Sequence, residues 1–125
     1  MRTADSFLAN CNALMHGQSP RDILRKALEL LEDPDRWTPW ERAMDAQGRP
    51  VRPESPEAVC WSVESAIAKV CGSFGIVPPY FMVLLDSVLT DDLGFSMGIA
   101  YFEQHYSHEM VLGLLRKAIE KAPAL

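Results

Sequence analysis

Cysteine is scarce in this 125-residue chain, long apolar runs are missing, and basic residues never cluster. Each shortage removes a class of protein. Cys11, Cys60 and Cys71 are odd in number and show no Cys-x-x-Cys spacing, which argues against a disulfide framework or a common zinc motif. If Cys60 and Cys71 share one helix they stand about 16 Å apart at ~1.5 Å per residue, too far to bridge. Reduced, buried thiols in a cytoplasmic protein are the expectation. No window approaches the ~18 consecutive apolar residues of a membrane-spanning helix. Met1–Leu14 has no sustained apolar stretch and no small-residue cleavage site, so no secretory signal is expected. Seventeen acidic residues outweigh twelve basic ones, giving a formal charge of −5. The closest basic group, Arg21, Arg25 and Lys26, fits the wet face of a helix, so nucleic-acid binding is disfavoured for want of clustered phosphate contacts. A Gly-rich phosphate loop, a Gly-x-Ser-x-Gly elbow and a dinucleotide fingerprint are also missing, and no cofactor is expected. Asp91 and Asp92 lack the alternating oxygen ligands of a calcium loop and read as loop solvation.

What is present is ordinary globular composition, 48% hydrophobic and 23% charged. The whole chain, 1–125, reads as one domain that buries about two-thirds of its unfolded surface. Apolar residues recur every three to four positions, which predicts a mainly α fold of five or six helices. Phe7, Leu8, Cys11, Leu14 and Met15 mark a first helix over Asp5–His16. Ser19-Pro20 starts a second, with a stripe of Ile23, Leu24, Ala27, Leu28 and Leu31 ended by Asp33-Pro34. Ser55-Pro56-Glu57 looks like a similar start for a central helix that carries Val59, Cys60, Val63, Ala66, Ile67, Val70, Cys71 and Phe74, with Gly75 as its stop. Pro78-Pro79 opens a helix that is apolar nearly all round, so it must be buried by the rest of the chain or by a partner. Phe95–Phe102 is a short helical or irregular run. The last helix starts at Ser107 and runs through Ile119, with Arg116, Lys117 and Lys121 near its negative end.

Asp33–Pro56 differs from all of these, with five prolines, two tryptophans and no helical period. A short β-hairpin around Gly48, or an ordered Pro-rich loop at about 41–52, is expected there, with Pro50 on an unpaired edge.

Two sets of residues could carry function. Trp37, Trp40 and Trp61, together with Arg42, Asp45 and Arg49, could form an aromatic, Arg-rimmed binding surface, because Trp and Arg dominate binding hot spots. The competing reading packs the indoles over the central helix as core. The second set is Glu103, His105, His108 and Glu109, the one cluster with metal-ligand residue types, from which three ligands could be drawn. On a continuous helix His105 and His108 would share a face. Ser107 as a helix cap would break that helix, and the His-Glu-x-x-His spacing is missing. Cys60 and Cys71 sit on an apolar stripe and read as core, not as nucleophiles.

Trp37, Ala43-x-Asp45-Ala46-x-Gly48-Arg49-Pro50-Val51, Ser55-Pro56-Glu57-Ala58-Val59-Cys60-Trp61 and Ala66-Ile67 resemble a small bacterial and phage family of unknown function. The closing helix from His108 to Ile119 fits the same pattern, so the resemblance spans about Ile23 to Lys121. This sequence departs from that pattern at Thr38-Pro39, at Glu64-Ser65 and at Phe102-Glu103. If those steps shape a pocket, it is altered here. The resemblance implies a compact domain and brings no catalytic residue. The first expectation for function is therefore a non-enzymatic binding or regulatory module that meets a protein partner, or a second copy of itself, through Trp37–Val51 or the Pro78–Leu89 helix. The alternatives are a small metal-dependent hydrolase using Glu103, His105 and His108, and a phage- or island-encoded accessory inhibitor.

Overall fold

Ser19 sets the first described helix: its Oγ accepts the Asp22 N–H at 3.1 Å, and Pro20 fills the first helical position. The computed structural model describes residues 18–72 and 77–123. The predicted Asp5–His16 helix and the Phe74–Gly75 end of the predicted central helix lie outside those residues. Helix α1 (Pro20–Leu31) buries Ile23, Leu24, Ala27 and Leu31 of the predicted stripe and leaves Leu28 partly buried. Asp33 then caps a single 3₁₀ turn, Pro34–Arg36, by accepting the Asp35 N–H at 2.9 Å.

The Pro-rich stretch folds as ordered loop around a small antiparallel ribbon. Strand β1 (Ala43–Met44) pairs with β2 (Cys60–Trp61). The turn expected around Gly48 is there: the Asp45 N–H donates to the Arg49 carbonyl at 2.9 Å and the Gly48 N–H to the Asp45 carbonyl at 3.0 Å. Gly48 has φ of 77°, where a side chain would strain the backbone. Pro50 bridges to Met44. The Asp45 and Val51 N–H groups on either side carry the bonds that proline cannot.

The central helix begins later than the sequence suggests. Ser55 accepts the Glu57 N–H as a local turn, at 3.2 Å, and starts no helix. Val59 and Ser62 donate instead to the Met44 and Arg42 carbonyls, at 2.8 and 3.1 Å, and hold Cys60 and Trp61 extended. β-branched and aromatic residues favour that backbone. Ser62 is the true cap, and its Oγ accepts the Ser65 N–H at 3.3 Å. Helix α2 (Val63–Cys71) stops at Gly72 in the left-handed conformation, φ 67°. Cys60 and Cys71 therefore do not share a helix, and the separation argued from one does not apply.

Both thiols are nonetheless free and buried. Burial pushes the Cys71 thiol up to about 11, and it also raises Cys60, partly offset by a backbone hydrogen bond from Met44. Since the thiolate is the reactive form, iodoacetamide at pH 8 should label Cys60 and Cys71 at least tenfold more slowly in native than in urea-unfolded protein, read by peptide mass mapping.

Helix α3 (Pro79–Ser87) continues into a π-helical turn, Val88–Asp92. Phe81, Leu84, Leu85, Val88 and Leu89 are buried within this chain, which accounts for most of the helix's all-round apolarity. Helix α4 (Ile99–His105) replaces the undecided run before Phe102. Helix α5 (His108–Lys121) starts where expected, with Ser107 Oγ accepting the Met110 N–H at 3.3 Å. The fold is mainly α. Its principal seam is α1 against α2 and α5, with α3 and the π turn packed on α5. Arg21 locks that seam, donating to the Ile119 and Ala122 carbonyls at the end of α5. Among the described residues no helix is long and apolar enough to cross a membrane.

Candidate functional site

Helix α4 is short, and its buried face is set by simple spacing. Ile99, Phe102 and Tyr106 stand at i, i+3 and i+7, so Glu103 at i+4 falls among them. Ile99 and Phe102 are buried, Tyr106 half-buried, and Glu103 itself is only 3% exposed. A carboxyl in such a place needs hydrogen-bond donors. Two are supplied: the Trp37 indole N–H at 2.8 Å and the backbone N–H of Val63, in the first turn of α2, at 2.9 Å. One side chain thus ties together the Pro-rich loop, α2 and α4.

Both donors meet the same oxygen, Oε2. Among the described residues Oε1 receives no hydrogen bond, and Glu103 lines an open cleft of about 230 Å³. Burial dominates the titration of this carboxyl and raises it to about 7; the two donors pull it down, and the neighbouring negative charge of Glu64 adds to the rise. Glu64, on the first turn of α2, is itself raised by burial, lowered by Arg42 and raised again by Asp86. Trp40, Glu41, Arg42, Ser62 and Gln104 complete the polar and aromatic part of the wall.

Trp40 stands at this cleft and is 69% exposed. Its backbone is positioned through Thr38. The Thr38 N–H donates to the Trp61 carbonyl at 3.0 Å, and Thr38 Oγ1 accepts the Trp40 N–H at 3.3 Å. The three tryptophans therefore have three different environments. Trp61 is 5% exposed, donates from Nε1 to the Pro53 carbonyl at 3.0 Å and lies beneath Lys69. Trp37 is half-buried between Glu103 and the His108 ring, 5.3 Å away. Trp40 alone among them presents its ring to solvent.

Asp45 and Arg49 do not join the cleft. Asp45 Oδ1 accepts the Gln47 and Arg49 N–H groups at 3.0 and 2.9 Å, and Oδ2 accepts Arg49 Nε at 2.9 Å. The Arg49 N–H, above all, holds the Asp45 carboxyl below its ordinary value, against the opposing effect of burial. These two residues build the Gly48 turn.

Glu103, His105 and His108 do not converge. His105 lies on the exposed side of α4, stacked on Tyr101 at 3.9 Å with Nδ1 against the Tyr101 carbonyl. His108 points to α1, where Nε2 meets the Leu31 carbonyl at 2.6 Å. Ser107 caps α5 between them and breaks the helix that would have aligned the two rings. Among the described residues no group of three His, Cys, Asp or Glu side chains is placed to hold a metal.

Sequence reasoning missed Glu64, Ser62 and Gln104, because the cleft is assembled across α2, α4 and the Pro-rich loop. Its one local signal was an acid on an apolar stripe, Glu103 beside Phe102. Pro39, Glu64 and Glu103, at the three places where the sequence departs from the resembled pattern, all line this cleft.

No curated protein and no solved structure matches this chain. A family model does, over residues 15–121, almost the whole of the described fold and every residue of the cleft. The chain belongs to the family of unknown function DUF6197.

Proposed function

We propose that this domain is a non-enzymatic recognition module that docks a protein partner at the Trp40 cleft. The observation that supports this reading is the exposed Trp40 indole, carried on a backbone bonded to Thr38 beside a concavity with Arg42, Glu64, Glu103 and Gln104 in its wall. A single exposed apolar side chain is ordinary; the indole is informative because it lines a concavity together with charged and polar groups. Rigid aromatic anchors ringed by polar groups are what concentrate binding energy at protein interfaces. Most of the Pro78–Leu89 helix is already covered by this chain's own core, so the observations favour the Trp37–Val51 region.

Trp40→Ala tests this. Proteins captured from the source cell by the wild type should be lost from the variant by about tenfold or more, while its helical circular dichroism and thermal midpoint stay unchanged. Undiminished capture by a folded Trp40→Ala variant would contradict the proposal.

A further inference from the structure

We infer that the Trp40 cleft is a subsite for an organic cation, the ammonium or guanidinium of a lysine or arginine side chain presented by the docking partner. This rests on the recognition reading above and gives it a chemistry. The residues that line the cleft include three carboxyl groups, Glu41, Glu64 and Glu103, and one guanidinium, Arg42. That balance favours a positive guest. The exposed face of Trp40 adds the electron-rich surface on which ammonium and guanidinium groups settle.

The second, independent observation is the geometry of Glu103. The residue is more than nine-tenths buried, its Oε2 is saturated by Trp37 and Val63, and Oε1 has no donor among the described residues. A charge-assisted N–H donor from a guest would complete that carboxylate. The charges around Glu103 are mixed but mainly negative. Glu64 repels its negative form, Asp86 repels that of Glu64, and Arg42 offsets part of this from the side of Glu64. A bound cation relieves both repulsions at once. Binding should therefore expel a proton near neutrality and tighten as pH rises from 6 to 8.

The test is an NMR titration of the full chain at pH 6 and pH 8, following the Trp40 indole N–H. Its probes are the peptide acetyl-Gly-Gly-Lys-Gly-Gly-amide, the same peptide acetylated at Lys Nζ, and n-butylamine. The lysine peptide should shift the Trp40 indole saturably, several-fold more tightly at pH 8. The acetylated peptide should leave it in place. Glu64→Gln should weaken binding about tenfold, and Glu103→Gln should also remove most of the pH dependence. Both replacements are close in shape, and the amide oxygen introduced by Glu103→Gln can still accept from Trp37 and Val63. Equal binding of the acetylated and free peptides, no shift with any probe, or indifference to both substitutions overturns the inference. Butylamine binding as tightly as the peptide supports the cation site and counts against a protein as the source. Partner capture that needs Trp40 but tolerates Glu64→Gln and Glu103→Gln overturns the cation inference alone and leaves the recognition reading standing.

Discussion

Replacing Glu103 with glutamine should flatten the dependence of stability on pH. In the wild type the Glu103 carboxyl titrates at about 7 when folded, against 4.5 for an unburied glutamate. The sign follows from which state holds the proton. Between those two values the folded chain keeps a proton that the unfolded chain has released, so stability falls as pH rises through the interval and levels off above it. A difference of this size corresponds to about 3 kcal/mol between pH 4.5 and pH 8. For a domain of this length that is on the order of 10 °C in thermal midpoint. Glu64, also raised by burial, contributes in the same direction and leaves a smaller residual slope in the variant. Asp45 has the opposite sign, but its lowered value confines its effect to pH below about 3.8. Urea denaturation of wild type and Glu103→Gln at half-unit steps from pH 4.5 to 8.5 checks this. Parallel profiles would mean that Glu103 ionises as it does in water.

Two tryptophans should behave in opposite ways when truncated. Trp61→Ala removes a ring that is almost wholly covered, together with its hydrogen bond to the Pro53 carbonyl. It also opens a space between β2 and the Pro-rich loop, whose Thr38 is bonded to the Trp61 backbone. Truncations of buried aromatics cost about 3–5 kcal/mol, from lost transfer energy and the cavity left behind. The Pro53 carbonyl loses its partner in addition. Trp40→Ala removes a ring of the same size that is 69% in water. It should change stability by no more than about 0.5 kcal/mol, as surface substitutions do. Equilibrium unfolding of the two variants side by side settles the contrast, and comparable losses would show that the two indoles are not divided between core and surface.

Much of the fold was legible because helix periodicity and caps are local signals. Ser19-Pro20 and Ser107 start helices where the sequence says they should, and most of the stripes of α1 and α5 fall on buried positions, with Leu28 and Ile119 partly buried and Met110 exposed. Ser55-Pro56 misled because a serine–proline step is equally good at opening a turn. Whether Val59–Trp61 coils or extends was decided by the carbonyls of Met44 and Arg42, 15 and 20 residues from the Val59 and Ser62 N–H groups that donate to them and invisible to a local window. The site was less legible for the same reason. Trp40 and Arg42 stood out by type, but the carboxyls that give the cleft its charge come from α2 and α4. Glu103 drew attention as a neighbour of two histidines, whereas its real partners are the Trp37 indole, 66 residues away in sequence, and the Val63 N–H, 40 residues away.

The cleft takes its character from a carboxyl that is buried against two donors and whose titration burial raises to about 7. Carbon-13 NMR of the glutamate side-chain carboxyls, followed from pH 4 to 9 with Glu103→Gln to assign the resonance, measures that carboxyl directly. Glu103 should titrate with a midpoint near 7, and the Trp37 indole N–H should move with the same midpoint. A midpoint near 4.5, with the Trp37 indole unmoved, would contradict the geometry on which the cleft has been built.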